Sequence, residues 1–185
     1  MAQYNGYVSI PHGTYDEWRA ATLGNGYNAD RQYGNQCWDY CAEMWYQYGR
    51  TLYTRPGGGG AADCWNISRD ANAKSPFTAV YGKENIKRGD VIVFGRTNIS
   101  RNGHIGFADE DYNNPNTIKL LSQAPYSQGI NGVVFRTDWS LGAFLGIFRN
   151  KNWQTSPTPT PTPPSEETKK HFPWAVAWEQ WGWNK

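Results

Sequence analysis

"GNQCWDYCAEMW", residues 34–45, decides how the rest of the chain is read, because two of its three cysteines stand here four residues apart. Cys37, Tyr40, Cys41, Met44, Trp45 and Tyr48 follow the i, i+3, i+4, i+7 rule, which predicts an amphipathic helix over 36–48 ending at Gly49. Cys41 belongs to the apolar stripe, and Cys64 further on also faces a core; a buried free cysteine there behaves as a small hydrophobe. Cys37 is different. It lies in the first turn, where unpaired backbone N–H groups and the helix dipole favour a thiolate.

Beyond this helix comes the breaker "PGGGG" and a weaker helical pattern over 60–70, "GAADCWNISRD". Short apolar runs bounded by Gly, Asn and Pro then read as strands at 89–95, 103–109, 117–124, 132–137 and 144–149. Helices first and strands afterwards predict an α+β domain in which N-terminal helices pack on an antiparallel β-sheet, not alternating βαβ units.

The 185 residues suffice for one packed domain and an appendage. Aromatics make up 16% of the chain, with 20 glycines and 11 prolines, a mixture that suits a loop-rich domain with β-structure. A formal charge of +2, without a Lys/Arg cluster, argues against a nucleic-acid partner. No apolar run approaches the length of a membrane span and the start lacks a secretory signal, so neither membrane insertion nor export is expected. Three cysteines do not make a disulfide scaffold and suit a reducing cytoplasm.

The stretch "TSPTPTPTPPSEETKK" cannot bury a core and reads as an extended spacer. The expected layout is therefore a main domain over 1–152, a Thr/Pro-rich linker over 153–170 and a Trp-rich tail over 171–185. With four tryptophans in 15 residues, that tail is either a remnant of a wall-binding domain or a docking segment using its aromatics.

A cysteine nucleophile needs a histidine base nearby in space. Of the three histidines, His12 follows a proline in a loop and His171 lies past the spacer. His104, in "RNGHIGFAD", stands where a Gly-bounded loop enters an apolar strand. Cys early on a helix and His on a later strand is the papain-type order.

"YGNQCWDY", "GDVIVFG", "GHIGF" and "FLGIFR" occur in the same order as in CHAP domains, the cysteine, histidine-dependent amidohydrolase/peptidase family. Over about residues 20–150 the chain resembles the catalytic module of a bacteriophage endolysin. The resemblance implies a papain-like fold, bacterial peptidoglycan as the partner and cleavage of an amide bond, with Cys37 as nucleophile and His104 as general base. It also places Ser122 where relatives carry an orienting Glu. It sets the Cys37 N–H, with Gln36 nearby and Gln123 as a neighbour of suitable chemistry, at the oxyanion and substrate side. The acidic run Asp109, Glu110 and Asp111 is an alternative source of the third group.

A second pattern overlaps the first. Asn28, Asp30, Gln32, Gly34 through its carbonyl, and Asp39 occupy positions 1, 3, 5, 7 and 12 of a twelve-residue loop entering a helix, the ligand spacing of an EF-hand. Tyr33 replaces the usual glycine and position 12 is Asp. Several phage CHAP domains carry calcium here, so a structural calcium ion is expected; an Asx-rich turn is the plain alternative. A phage lysin held in the host cytoplasm until lysis follows from the resemblance. The competing class is a non-catalytic wall-binding module, which would not need Cys37.

Overall fold

Side-chain alternation along the strands explains the architecture. In "VIVF", Val91 and Val93 join one apolar cluster with Tyr40, Cys41, Met44, Trp45 and Phe107, while Ile92 and Phe94 join another with Ile118, Leu120 and Ile147. One strand therefore feeds both faces of a sheet, as its period of two requires. The computed structural model describes residues 13–56, 59–123 and 132–153.

The helices are α1 (Tyr15–Thr22), α2 (Cys37–Gln47), α3 (Asp63–Asn66) and α4 (Arg69–Asn72). They precede strands β1 (Phe77–Val80), β2 (Val91–Phe94), β3 (His104–Ala108), β4 (Thr117–Gln123), β5 (Val134–Ser140) and β6 (Phe144–Asn150). The strands form one antiparallel sheet in the order β1-β6-β2-β3-β4-β5. The expected α+β class, helices packed on an antiparallel sheet, is what the structure has.

Four details differ from expectation. Strand β1 was not among the expected strands. Helix α1 was not foreseen either, although Tyr15, Trp18 and Thr22 fall at helical spacing on its buried face. Thr14 caps it in a reciprocal box: its side chain accepts from the Glu17 N–H at 3.2 Å, while the Glu17 carboxylate accepts from the Thr14 N–H at 3.0 Å. Trp18 then stacks on Tyr40 at 5.7 Å and donates to the Tyr40 hydroxyl at 2.9 Å, tying α1 to α2. The helix expected over 60–70 is two single turns, α3 and α4, broken at Ile67 and Ser68. Trp153, assigned to the spacer by composition, is buried against Tyr15, Trp18 and Phe107 and belongs to the core. The rest of the expected linker, and the tail with His171, lie outside the described residues, as does His12.

Candidate active site

Cys37 is the first residue of α2, following Gln36 in extended conformation (φ −109°, ψ 164°). Its half-buried thiol faces the backbone N–H of Ile105, the residue next to His104 on β3. The fold thus brings the helix start to the start of that strand. Cys37 opens onto a cavity of about 430 Å³ lined by Asp30, Gln32, Gln36, Trp38, Thr54 and Asn102. Burial pushes the thiol up to about 11, outweighing the N–H groups of Ile105 and Trp38 that favour its anion. Cys41 and Cys64 are fully buried in the main core, as read from the sequence.

His104 owes its place to two glycines. Gly103 has φ +73°, and a Cβ there would sit 2.5 Å from the Phe94 carbonyl oxygen. Gly106 lets β4 come close, since a Cβ there would lie 2.8 Å from the Ser122 Cβ. As a result His104 Nε2 stands 3.0 Å from Ser122 Oγ, with the serine fully buried. The imidazole also stacks on Trp139 of β5, ring centroids 4.0 Å apart and planes 18° apart. Sequence reasoning missed Trp139 because the strand signal ended at 137, whereas β5 continues to Ser140. A cavity of about 950 Å³ opens on this side, with His104, Phe94, Ile99, Trp139, Phe144 and Leu145 in its lining. Burial, at 6% exposure, drives the imidazole down to about 3. Burial therefore favours the neutral form of both groups and opposes the thiolate that the helix terminus favours.

The other expected residues divide. Gln36 lines the Cys37 cavity. Gln123 does not face substrate: it is fully buried, accepts from the Tyr27 N–H at 2.8 Å, and donates to the Tyr27 and Gln36 carbonyls at 2.7 and 2.9 Å. Its oxygen and both amide hydrogens are engaged within the fold. The run Asp109 to Asp111 is remote from the imidazole as a partner. Asp109 ends β3's sheet contacts in a clamp with Tyr15, Arg19 and Arg136, at 3.0, 2.9 and 2.5 Å. Glu110 accepts from the Lys119 N–H, and Asp111 from Arg88 and Lys87.

In the loop before α2, Asp39 accepts from the N–H groups of Ala29, Asp30 and Gln36 at 2.9, 3.3 and 2.8 Å. Asp30 accepts from the Gln32 N–H at 2.7 Å, an Asx turn. Burial first, then the nearby Asp30 charge, raises Asp39 to about 7. Asn28 Oδ1 is buried without a hydrogen-bond partner. Among the described residues, no three His, Cys, Asp or Glu side chains gather as a metal-binding group. A cation here would need amide and carbonyl oxygens as well as the two carboxylates. The orphaned Asn28 oxygen and the mutual repulsion of Asp30 and Asp39 fit such a donor set.

An α+β domain with a free thiol at a helix start, lying against the strand that begins with a buried histidine, is the class these features define. Residues 13–124 match the CHAP domain, and the chain belongs to that family. A "D-alanyl-L-alanine endopeptidase" of Streptococcus phage B30 is 32% identical over 85 residues, which is 44% of this chain and 18% of that protein. The crystal structure of the wild-type endolysin LysIME-EF1 superposes with a TM-score of 0.61 at 21% identity, covering 77% of this chain and 66% of that one. The chain thus spans less than a fifth of the phage endopeptidase and about two thirds of the endolysin.

Proposed function

We propose that this domain hydrolyses an amide bond of bacterial peptidoglycan, with Cys37 as nucleophile and His104 as general base, as a phage lysin does. The observation that carries the reading is the convergence of the Cys37 thiol on β3 beside His104, whose Nε2 is taken by Ser122. In the tautomer whose Nε2–H donates to Ser122 Oγ, Nδ1 carries the free lone pair, and this is the tautomer the mechanism uses. Nδ1 takes the Sγ proton as sulfur attacks the amide carbon. The carbonyl oxygen becomes an oxyanion facing the Cys37 N–H. Collapse expels the amine, which takes the proton from the imidazolium, and leaves a thioester on Cys37. Water, losing a proton to His104, then releases the carboxylic acid and restores the thiol.

Support for a peptide bond as target, over the muramoyl–L-alanine amide, comes from the name of the phage relative. No helix among the described residues is long and apolar enough to cross a membrane. Accumulation in the host cytoplasm until lysis belongs to the same lysin reading. A calcium ion in the loop, held by Asn28, Asp30, Gln32, Asp39 and the carbonyl of Gly34, would neutralise the two carboxylates and fix the approach to α2. With only two charged ligands its affinity should lie near 10⁻⁵ to 10⁻³ M, the weak side of the EF-hand range.

The test is turbidity loss of Gram-positive cells with wild type and Cys37→Ala, followed by mass spectrometry of fragments from purified peptidoglycan. New amino and carboxyl ends identify the bond; lysis by a folded Cys37→Ala protein overturns the reading and favours a wall-binding module. For calcium, EDTA should lower the melting temperature and Asp30→Ala should remove the response to added calcium. Unchanged melting in EDTA would leave an ordinary Asx turn.

A further inference from the structure

The peptide bond between Gln36 and Cys37 is gripped from outside the helix. Its carbonyl belongs to Gln36 and its N–H to Cys37, and planarity makes the two point in opposite directions. Whatever fixes the carbonyl therefore aims the N–H. The Gln36 carbonyl accepts from Gln123 Nε2 at 2.9 Å. The same amide pairs both ways with the Tyr27 backbone, so Gln123 is itself immobilised by Tyr27 where the loop departs. On the preceding peptide, the Gln36 N–H is held by Asp39 at 2.8 Å.

We propose that Gln123 is a positioning residue for oxyanion stabilisation: it orients and polarises the 36–37 peptide so that the Cys37 N–H points at the developing oxyanion. The proposal rests on the reading of Cys37 as nucleophile. A carbonyl that accepts a hydrogen bond makes the N–H of its own peptide a better donor, and in a buried site the gain is not screened by water. The geometry also explains the order of residues in β4. Ser122 and Gln123 are consecutive and point to opposite faces of the sheet, as strand residues must. Ser122 reaches His104 on one face, while Gln123 reaches the loop and the helix start on the other. One strand thus sets both the base and the oxyanion donor, and a shift of β4 would disturb the two together.

Two variants of the full chain test this. Gln123→Glu keeps an acceptor for the Tyr27 N–H and removes the amide donors; Gln123→Met removes them without adding charge, and decides the matter if the first does not fold. Hydrolysis of a soluble peptidoglycan peptide is compared with alkylation of Cys37 by iodoacetamide, a displacement at carbon that develops no oxyanion. Losing a direct oxyanion donor costs about 10²–10³ in kcat, so misaiming one should cost roughly tenfold to a hundredfold, with KM and the alkylation rate within about threefold of wild type. A folded variant with wild-type kcat overturns the proposal. So does a parallel fall of hydrolysis and alkylation, which would mark general disorder of the loop. Failure of the underlying reading shows separately, as lysis that survives alkylation of the wild type or the Cys37→Ala change.

Discussion

The two halves of the candidate site are built by different means. His104, Ser122 and Trp139 come from β3, β4 and β5, three neighbouring strands whose ladder fixes their spacing. Cys37 hangs on an exposed loop in which Arg31, Tyr33 and Gly34 all have φ between 56° and 74°. For a residue other than glycine that conformation costs on the order of 1 kcal/mol. The loop is held in it by a few polar side chains, chiefly Asp39 from the helix and Gln123 from the sheet. The difference teaches where vulnerability should lie. The base is preorganised by secondary structure, whereas the nucleophile depends on individual hydrogen bonds and, on the calcium proposal, on a cation.

The largest effect should come from removing either reacting group. His104→Ala, like Cys37→Ala, should abolish lysis while the far-ultraviolet dichroism of the fold persists, because groups that act as a unit fail together. A folded His104→Ala protein that still lyses cells would erase the contrast between the halves by removing the base from the chemistry.

Next comes Asp39→Ala, which strikes the loop half alone. Three backbone N–H groups lose their acceptor, and at about 1 kcal/mol each the domain should lose about 3 kcal/mol by chemical denaturation. Asp39→Asn, which keeps an acceptor oxygen, should lose less. If both variants melt like wild type, the loop is held by something other than Asp39.

The sheet half has its own signature in pH. Burial lowers the His104 imidazole from 6.5 to about 3, so between those values the unfolded chain binds a proton that the folded protein refuses. The contribution to stability is complete above the unfolded value and is lost as pH falls toward the folded one, at about 1.4 kcal/mol per pH unit. Comparing wild type with His104→Gln isolates this group from the carboxylates, including Asp39, which burial displaces upward and whose slope has the opposite sign. The stability difference should move against wild type as pH falls from about 6 to 4. A constant difference would mean a solvated ring and a sheet half that is not sealed.

How legible each half was in the sequence follows the same division. Helix α2 and five of the six strands were readable because period and glycine punctuation are local signals. Ser122 was reachable only through the resemblance to CHAP domains. Trp139 was not readable, since its stacking depends on β3 and β5, strands separated along the chain that flank β4 in the sheet. Gln123 was placed near the substrate because its chemistry suited that role; nothing local shows that Tyr27 and Gln36 occupy its whole amide. Helix α1 was missed although its capping box is written in Thr14 and Glu17 and its buried face in Tyr15, Trp18 and Thr22. The effect of burial on the thiol and imidazole was invisible for a different reason: the helix dipole is a property of sequence-local structure, while desolvation depends on everything packed around the site.

The smallest expected effect concerns Ser122, and it tests whether the base is held once or twice. The imidazole is fixed by a hydrogen bond to Ser122 and by the face of Trp139. A neutral hydroxyl biases the ring's charge little, so its value lies in orientation and tautomer. Ser122→Ala should lower kcat by about fivefold, which corresponds to the roughly 1 kcal/mol of one buried hydrogen bond, with KM nearly unchanged. Trp139→Leu should cost a similar amount by freeing the ring to tilt. With both supports gone the ring is free to rotate, so the double variant should lose more than the product of the two single losses, measured as a double-mutant cycle on kcat. Simple multiplication of the two effects would show that serine and tryptophan act on separate properties of the ring. In that case the sheet half, like the loop half, would depend on each of its contacts singly, and the contrast between them would be one of degree.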